Sequence, residues 1–331
     1  MKKIFAIVIC TLITVGCFAA CTMNKPDDKE VAGSAERMKI VTTIFPEYDW
    51  VKQILGEKSE NAEITLLLNN GVDLHSYQPT ADDLVKIVKC DLFIYVGGES
   101  DDWVEDALSN RQNPSMLTIN LLDELGDVIK AEEVKEGMQA EDEEDESGEE
   151  EETEYDEHVW LSLKNACTLC GVISEKICEI DPGNAGIYRT NTAAYTEKLK
   201  SLDAMYENAV NSAKVKTLVF GDRFPFRYLT DDYGLDYYAA FVGCSAESEA
   251  DFETIVFLAK KLDEFKLNSI MQTESSDGSI AQAIKDTSQS KNQQILTLDS
   301  MQSTTSADIN KGVTYLSVME KNLEVLKEAM K

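Results

Sequence analysis

Two stretches decide how this chain folds: Lys39-Ile40-Val41-Thr42-Thr43-Ile44-Phe45-Pro46 and Lys216-Thr217-Leu218-Val219-Phe220-Gly221-Asp222-Arg223-Phe224-Pro225. Each opens with a β-branched or aliphatic run, passes through Phe-Pro, and continues into an aromatic helical segment that ends at a glycine. β-Branched residues suit the pleated surface of a strand, and proline suits the first turn of a helix. The echo implies that one structural unit occurs twice.

Working outward, strand patterns follow at 63–68, 91–96 and 116–121, with helical patterns to Leu55, at 81–88 and at 103–108. The second set has strands at 216–220, 236–242, 268–272 and 295–298. Its helices lie at 226–232, 248–265, 279–290 and 313–330. Short strands alternating with helices imply parallel sheets covered on both faces. Between the sets, 163–179 is helical, and Asp181-Pro182 is a stop and restart. The stretch 184–214 then keeps Tyr188, Tyr195, Leu199, Leu202, Tyr206 and Val210 at helical spacing, a rod of roughly 45 Å. The fold class is therefore α/β: two lobes, each a parallel four-stranded sheet flanked by helices, joined by one long rigid helix. The expected boundaries are 38–182, 183–215 and 216–331. Ligands of such sheets sit beyond the carboxyl ends of the strands, which here means an interlobe cleft.

Of 331 residues, 61 are acidic and 31 basic, a formal charge of −30. That surface repels nucleic acid and collects cations. Thirteen of the seventeen positions 141–157 are Asp or Glu, so the insertion 139–157 is expected to be a solvated loop. Residues 1–20 carry export-signal features: Lys2 and Lys3, then an apolar run from 4 to 15 that is short for a membrane span. Phe18-Ala19-Ala20-Cys21 resembles a bacterial lipoprotein processing box, with Cys21 lipidated and 21–37 as a tether. Cys17 is the competing frame. Five cysteines remain beyond Cys21, an odd number and a poor disulfide framework. Cys167-x-x-Cys170 lies on an apolar-periodic helix and reads as buried thiols.

Only two histidines occur. His75 lies in Asn70-Gly71-Val72-Asp73-Leu74-His75-Ser76-Tyr77-Gln78-Pro79-Thr80, a loop beyond the second strand. His158 lies in Tyr155-Asp156-Glu157-His158-Val159-Trp160-Leu161-Ser162, where the acidic segment meets a packed one. Each alone reads as an ordinary loop histidine. Together with Asp91-Leu92-Phe93-Ile94-Tyr95-Val96-Gly97-Gly98-Glu99, Asp181-Pro182 and Leu298-Asp299-Ser300-Met301, these motifs resemble the zinc/manganese (cluster A-I) solute-binding lipoproteins of ABC transporters. The similarity runs in order along the mature chain. Glu157 stands where that family usually has proline.

The resemblance implies a four-ligand metal site in the cleft. His75 and His158 come from the first lobe. Asp222 stands at the place of the family's third ligand, Asp299 at the fourth, and Glu274 is held in reserve. Such a set suits tetrahedral Zn²⁺, with Mn²⁺ as the alternative. It further implies a monomer held by lipid at the outer face of the cell membrane, with a permease as partner. The acidic loop would collect cations. Arg223 and Arg227 either line the cleft or pack between the lobes. No phosphate loop or nucleophile elbow points to catalysis. A metallohydrolase and a surface adhesin with a structural metal are the rival readings.

Overall fold

The computed structural model describes residues 37–139, 154–245 and 249–331. The expected signal peptide, Cys21, all of the expected tether but Arg37, and most of the acidic insertion lie outside the described residues. The first sheet is built from β1 (Met38–Thr42), β2 (Ala62–Leu66), β3 (Leu92–Tyr95) and β4 (Leu117–Asn120). Its helices are α1 (Phe45–Leu55), α2 (Ala81–Ile87), α3 (Trp103–Ser109) and α4 (Leu121–Leu125), followed by α5 (Leu163–Ile180). The bridging helix α6 spans Ala185–Ser212. The second sheet is built from β5 (Thr217–Phe224), β6 (Asp236–Val242), β7 (Ser269–Gln272) and β8 (Gln294–Thr297). With it go α7 (Arg227–Tyr233), α8 (Phe252–Phe265), α9 (Ser279–Thr287), α10 (Ser306–Asn310) and α11 (Tyr315–Ala329).

Both sheets are wholly parallel and share one order, β2-β1-β3-β4 and β6-β5-β7-β8. The duplicated strand–Phe-Pro–helix motif thus gives the same inner strand twice, β1 and β5. In each sheet the order reverses beside that strand, which opens a crevice at the carboxyl ends.

The helix α6 buries Tyr188, Thr192, Tyr195, Leu199, Leu202, Tyr206 and Val210, at the three- and four-residue steps of one helical face. Its 28 residues make a rod of about 42 Å. Residues 37–331 form one compact unit, and a single apolar core runs through both halves. The terminal helix α11 is part of that joint. Tyr315 packs edge-on against Trp50 of α1, its N–H donates to Asp49, and its hydroxyl donates to the Trp160 carbonyl. The Tyr206 hydroxyl donates to the Met319 carbonyl. A smaller cluster around Leu258, Leu262, Ile270 and Ile284 closes the outer side of the second sheet.

The main departure from expectation is β5, which continues to Phe224 past a register shift between Phe220 and Arg223. That irregularity carries Gly221 against the backbone of α9, where a Cβ would lie 2.6 Å from the Ala281 Cα.

Candidate metal centre

The two histidines arrive at one point from separate loops. His75 sits in a single 3₁₀ turn, Leu74–Ser76, capped by Asp73, whose Oδ1 accepts the His75 N–H at 3.1 Å. His158 follows a short segment pinned to the chain after α4: the Asp156 N–H donates to the Lys130 carbonyl, and the Tyr228 hydroxyl donates to the Asp156 carbonyl. The Asp156 carboxylate accepts the His158 N–H at 2.9 Å.

Each imidazole is braced at its outer nitrogen. His75 Nδ1 lies 2.7 Å from Ser100 Oγ, and His158 Nδ1 lies 3.1 Å from Asp156 Oδ1. The two Nε2 atoms then face each other at 3.2 Å. Zn–N bonds of about 2.0–2.1 Å at a tetrahedral angle put two nitrogens about 3.3 Å apart. The pair is therefore already spaced for one ion. Metal-binding histidines commonly donate the other ring N–H to a carboxylate or an oxygen in this way.

The electrostatics differ between the rings. Burial, and then the neighbouring His158, push the His75 imidazole down to about 3, so its lone pair is available at neutral pH. Burial opposes charge on His158 most strongly, but the touching Asp156 carboxylate together with Glu157 and Asp73 outweighs it and the net shift is upward. Glu157 closes the floor: Oε1 accepts the Ser100 N–H, and burial raises its carboxyl to about 7. Gly98 makes this possible. It holds φ +81°, and a Cβ there would lie 2.4 Å from Glu157 Oε1.

The second lobe answers differently from the sequence expectation. Asp222 is engaged by the residue after β7. Its Oδ2 accepts the Thr273 N–H at 2.9 Å and the Thr273 hydroxyl at 2.7 Å, and its Oδ1 accepts the Arg223 N–H. These bonds engage the Asp222 carboxylate at the neighbouring strand end, and service as the expected third ligand would have to compete with them. Glu274 is likewise committed, accepting from Ser300, Gln302 and Ser303. Its expected reserve role as a ligand would have to compete with those bonds in the same way. Among the described residues the Asp299 carboxylate accepts from the Met301 N–H, and burial and then Glu274 raise it to about 6.

Among the described residues, the ligand-type atoms gathered within 4.8 Å of one another belong to His75, His158 and Cys244. Cys244 lies just past the carboxyl end of β6. A strand-end position alone points to it as much as to Asp222 and Asp299, but those two came from the family resemblance, and cysteine counting left Cys244 as one of five unpaired thiols. Burial first, then nearby acidic groups, hold its thiol well above the usual range. Arg223 lines the cleft, with Nη2 2.8 Å from Asp73 Oδ2 and Nη1 3.2 Å from the Ser245 carbonyl. Arg227 instead pairs with Glu133 and Asp231. Cys167 and Cys170 lie on α5 and are free, as are Cys90 and Cys178.

A family model described as zinc-uptake complex component A, periplasmic (ZnuA) matches residues 40–329. The chain belongs to the ZnuA family. Among ZnuA relatives, the zinc-binding lipoprotein AdcA of Streptococcus pneumoniae strain R6 is 31% identical over 332 residues, covering 99% of this chain and 61% of that protein. The chain thus spans about three fifths of that relative's length. The high-affinity zinc uptake system protein ZnuA of Bacillus subtilis is 27% identical over 99% of this chain and 97% of its own length. The Zn(II)-bound ZnuA-like domain of the pneumococcal AdcA superposes with a TM-score of 0.69 at 30% identity, over 89% of this chain and 99% of that one. The periplasmic zinc-binding protein TroA of Treponema pallidum shares the fold, with a TM-score of 0.70 at 23% identity over 89% of this chain and 99% of its own.

Proposed function

We propose that this chain captures Zn²⁺ outside the cytoplasm and passes it to the membrane permease of an ABC importer. The observation that carries the reading is the pair of facing Nε2 atoms, 3.2 Å apart, on imidazoles braced by Ser100 and Asp156. Such a pair binds a borderline cation that accepts nitrogen at short distance. The Irving–Williams order places zinc above manganese for it.

His75 and His158 are the ligands from the first lobe. Asp299 is the carboxylate from the second: its neighbour Ser300 accepts the Trp160 indole N–H, which holds that loop against the segment bearing His158. Both imidazoles serve the ion, which leaves no histidine for acid–base catalysis; the role is capture and release. The long α6 and the shared core favour release by local movement of the cleft loops over a large hinge rotation. Anchoring through lipid on Cys21 at the outer face of the membrane, and action as a monomer, complete the proposal. No described helix is long and apolar enough to cross a membrane.

Metal analysis of the purified protein, with zinc titration of His75→Ala and His158→Ala, tests the reading. One tightly bound zinc per chain is expected in the parent. Stoichiometric, tight zinc in both variants would overturn it.

A further inference from the structure

We infer that Cys244 completes the capture site as a sulfur ligand, so that this chain holds its metal through two imidazoles and a thiolate. The inference rests on the zinc-capture reading above and deepens it.

Three observations converge. The Cys244 sulfur lies within 4.8 Å of the ligand nitrogens of His75 and His158. With Zn–S of about 2.3 Å and Zn–N of about 2.05 Å at a tetrahedral angle, sulfur and nitrogen stand about 3.6 Å apart, so the sulfur moves by little more than 1 Å to bind. Second, the backbone before it is built for close approach. A Cβ on Gly243 would lie 3.1 Å from His158 Cε1 and 3.0 Å from the Phe224 carbonyl oxygen, tighter than ordinary contact, so glycine lets this loop ride directly on the imidazole without displacing it.

Third, the loop is tied to both histidine segments. The Cys244 N–H donates to Glu132 Oε1, beside the segment that pins Asp156. The Ser245 carbonyl accepts from Arg223, Arg223 pairs with Asp73, and Asp73 accepts the His75 N–H. This chain of contacts links the residue after Cys244 to the turn bearing His75 through one guanidinium.

On binding, the S–H bond breaks as the S–metal bond forms, and the proton leaves to solvent. The product with Asp299 is a neutral complex: a divalent ion, one thiolate, one carboxylate and two neutral imidazoles. A thiolate biases the site toward zinc and softer ions and against manganese.

Cobalt substitution tests this. Purified protein loaded with one equivalent of Co²⁺ is expected to show an intense near-ultraviolet thiolate-to-cobalt charge-transfer band. Cys244→Ser should abolish that band, retain one Co²⁺ per chain with a weaker ligand field, and bind zinc at least tenfold more weakly. Cys244→Ala and a thermal melt of each variant separate ligand loss from misfolding. One bound Co²⁺ without a charge-transfer band in the parent, or a band that survives in a folded Cys244→Ser, overturns the sulfur ligand while leaving histidine capture standing. Absence of any Co²⁺ or zinc binding in the parent overturns both.

Discussion

The two lobes have the same sheet order and opposite ways of using their strand ends. The first lobe spends hydrogen bonds on its ligands: Ser100 and Asp156 hold the outer nitrogens of His75 and His158, and the inner nitrogens are left facing each other. The second lobe carries a candidate ligand beyond or near the end of every strand, namely Asp222, Cys244, Glu274 and Asp299. It uses two of them as structural acceptors. Asp222 ties β5 to Thr273, and Glu274 gathers the Ser300–Ser303 turn. A carboxylate at the right topological place is a ligand only if the surrounding donors leave its oxygens free.

The largest expected effect tests the first half of that contrast. His158→Ala should weaken zinc binding by roughly a thousandfold or more, beyond the roughly tenfold to hundredfold that follows loss of a bond to a ligand's outer nitrogen. Competition against a chromophoric chelator measures it. Asp156→Asn keeps the shape and removes the charge beside His158 Nδ1. It should cost roughly 10- to 100-fold in zinc affinity. An unchanged affinity would mean that the brace is incidental.

The second half is sharpened by pairing two substitutions. Asp299→Asn should weaken zinc more than Asp222→Ala does. Asp222→Ala should change affinity by less than about tenfold. It should lower urea stability by about 1–3 kcal/mol, because the Thr273 N–H loses its acceptor. The reverse ranking would restore Asp222 as a ligand and break the comparison.

A last effect, on stability and not on zinc, concerns the core beneath the first lobe. Glu47 is fully buried, its Oε2 accepts the Thr43 N–H at 2.8 Å, and burial followed by Asp101 raises its carboxyl from 4.5 to about 8. Between those values the folded state holds a proton that the unfolded state has lost. This group's contribution to stability therefore falls as pH rises through that window. Glu47→Gln should remove the slope. Urea midpoints at about pH 5 and about pH 8 should show the variant gaining on the parent at the higher pH.

Much of this was legible in the sequence because periodicity is local. The strands 236–242 and 268–272 and the helices 103–108 and 163–179 fall within a residue or so of the observed elements, and the α6 stripe buries the six apolar positions named for it. The Phe-Pro echo correctly announced a repeated inner strand. What escaped was non-local. The extension of β5 past its irregularity depends on its partner β6, and the fate of the Asp222 side chain depends on Thr273, some fifty residues away. α11 read as a helix of the second lobe, yet it packs on α1 and α6 because its buried face matches Trp50 and Tyr206.

The sequence by itself determined the α/β class, the duplication, the long bridging helix and the two histidines as the only imidazoles available, since these follow from pattern and count. Tertiary structure alone decided that their Nε2 atoms meet at 3.2 Å, that Asp222 is occupied elsewhere, and that Cys244 stands beside them. The physical reason is that a ligand is defined by where its lone pair points, and that direction is set by hydrogen bonds from residues distant in the chain.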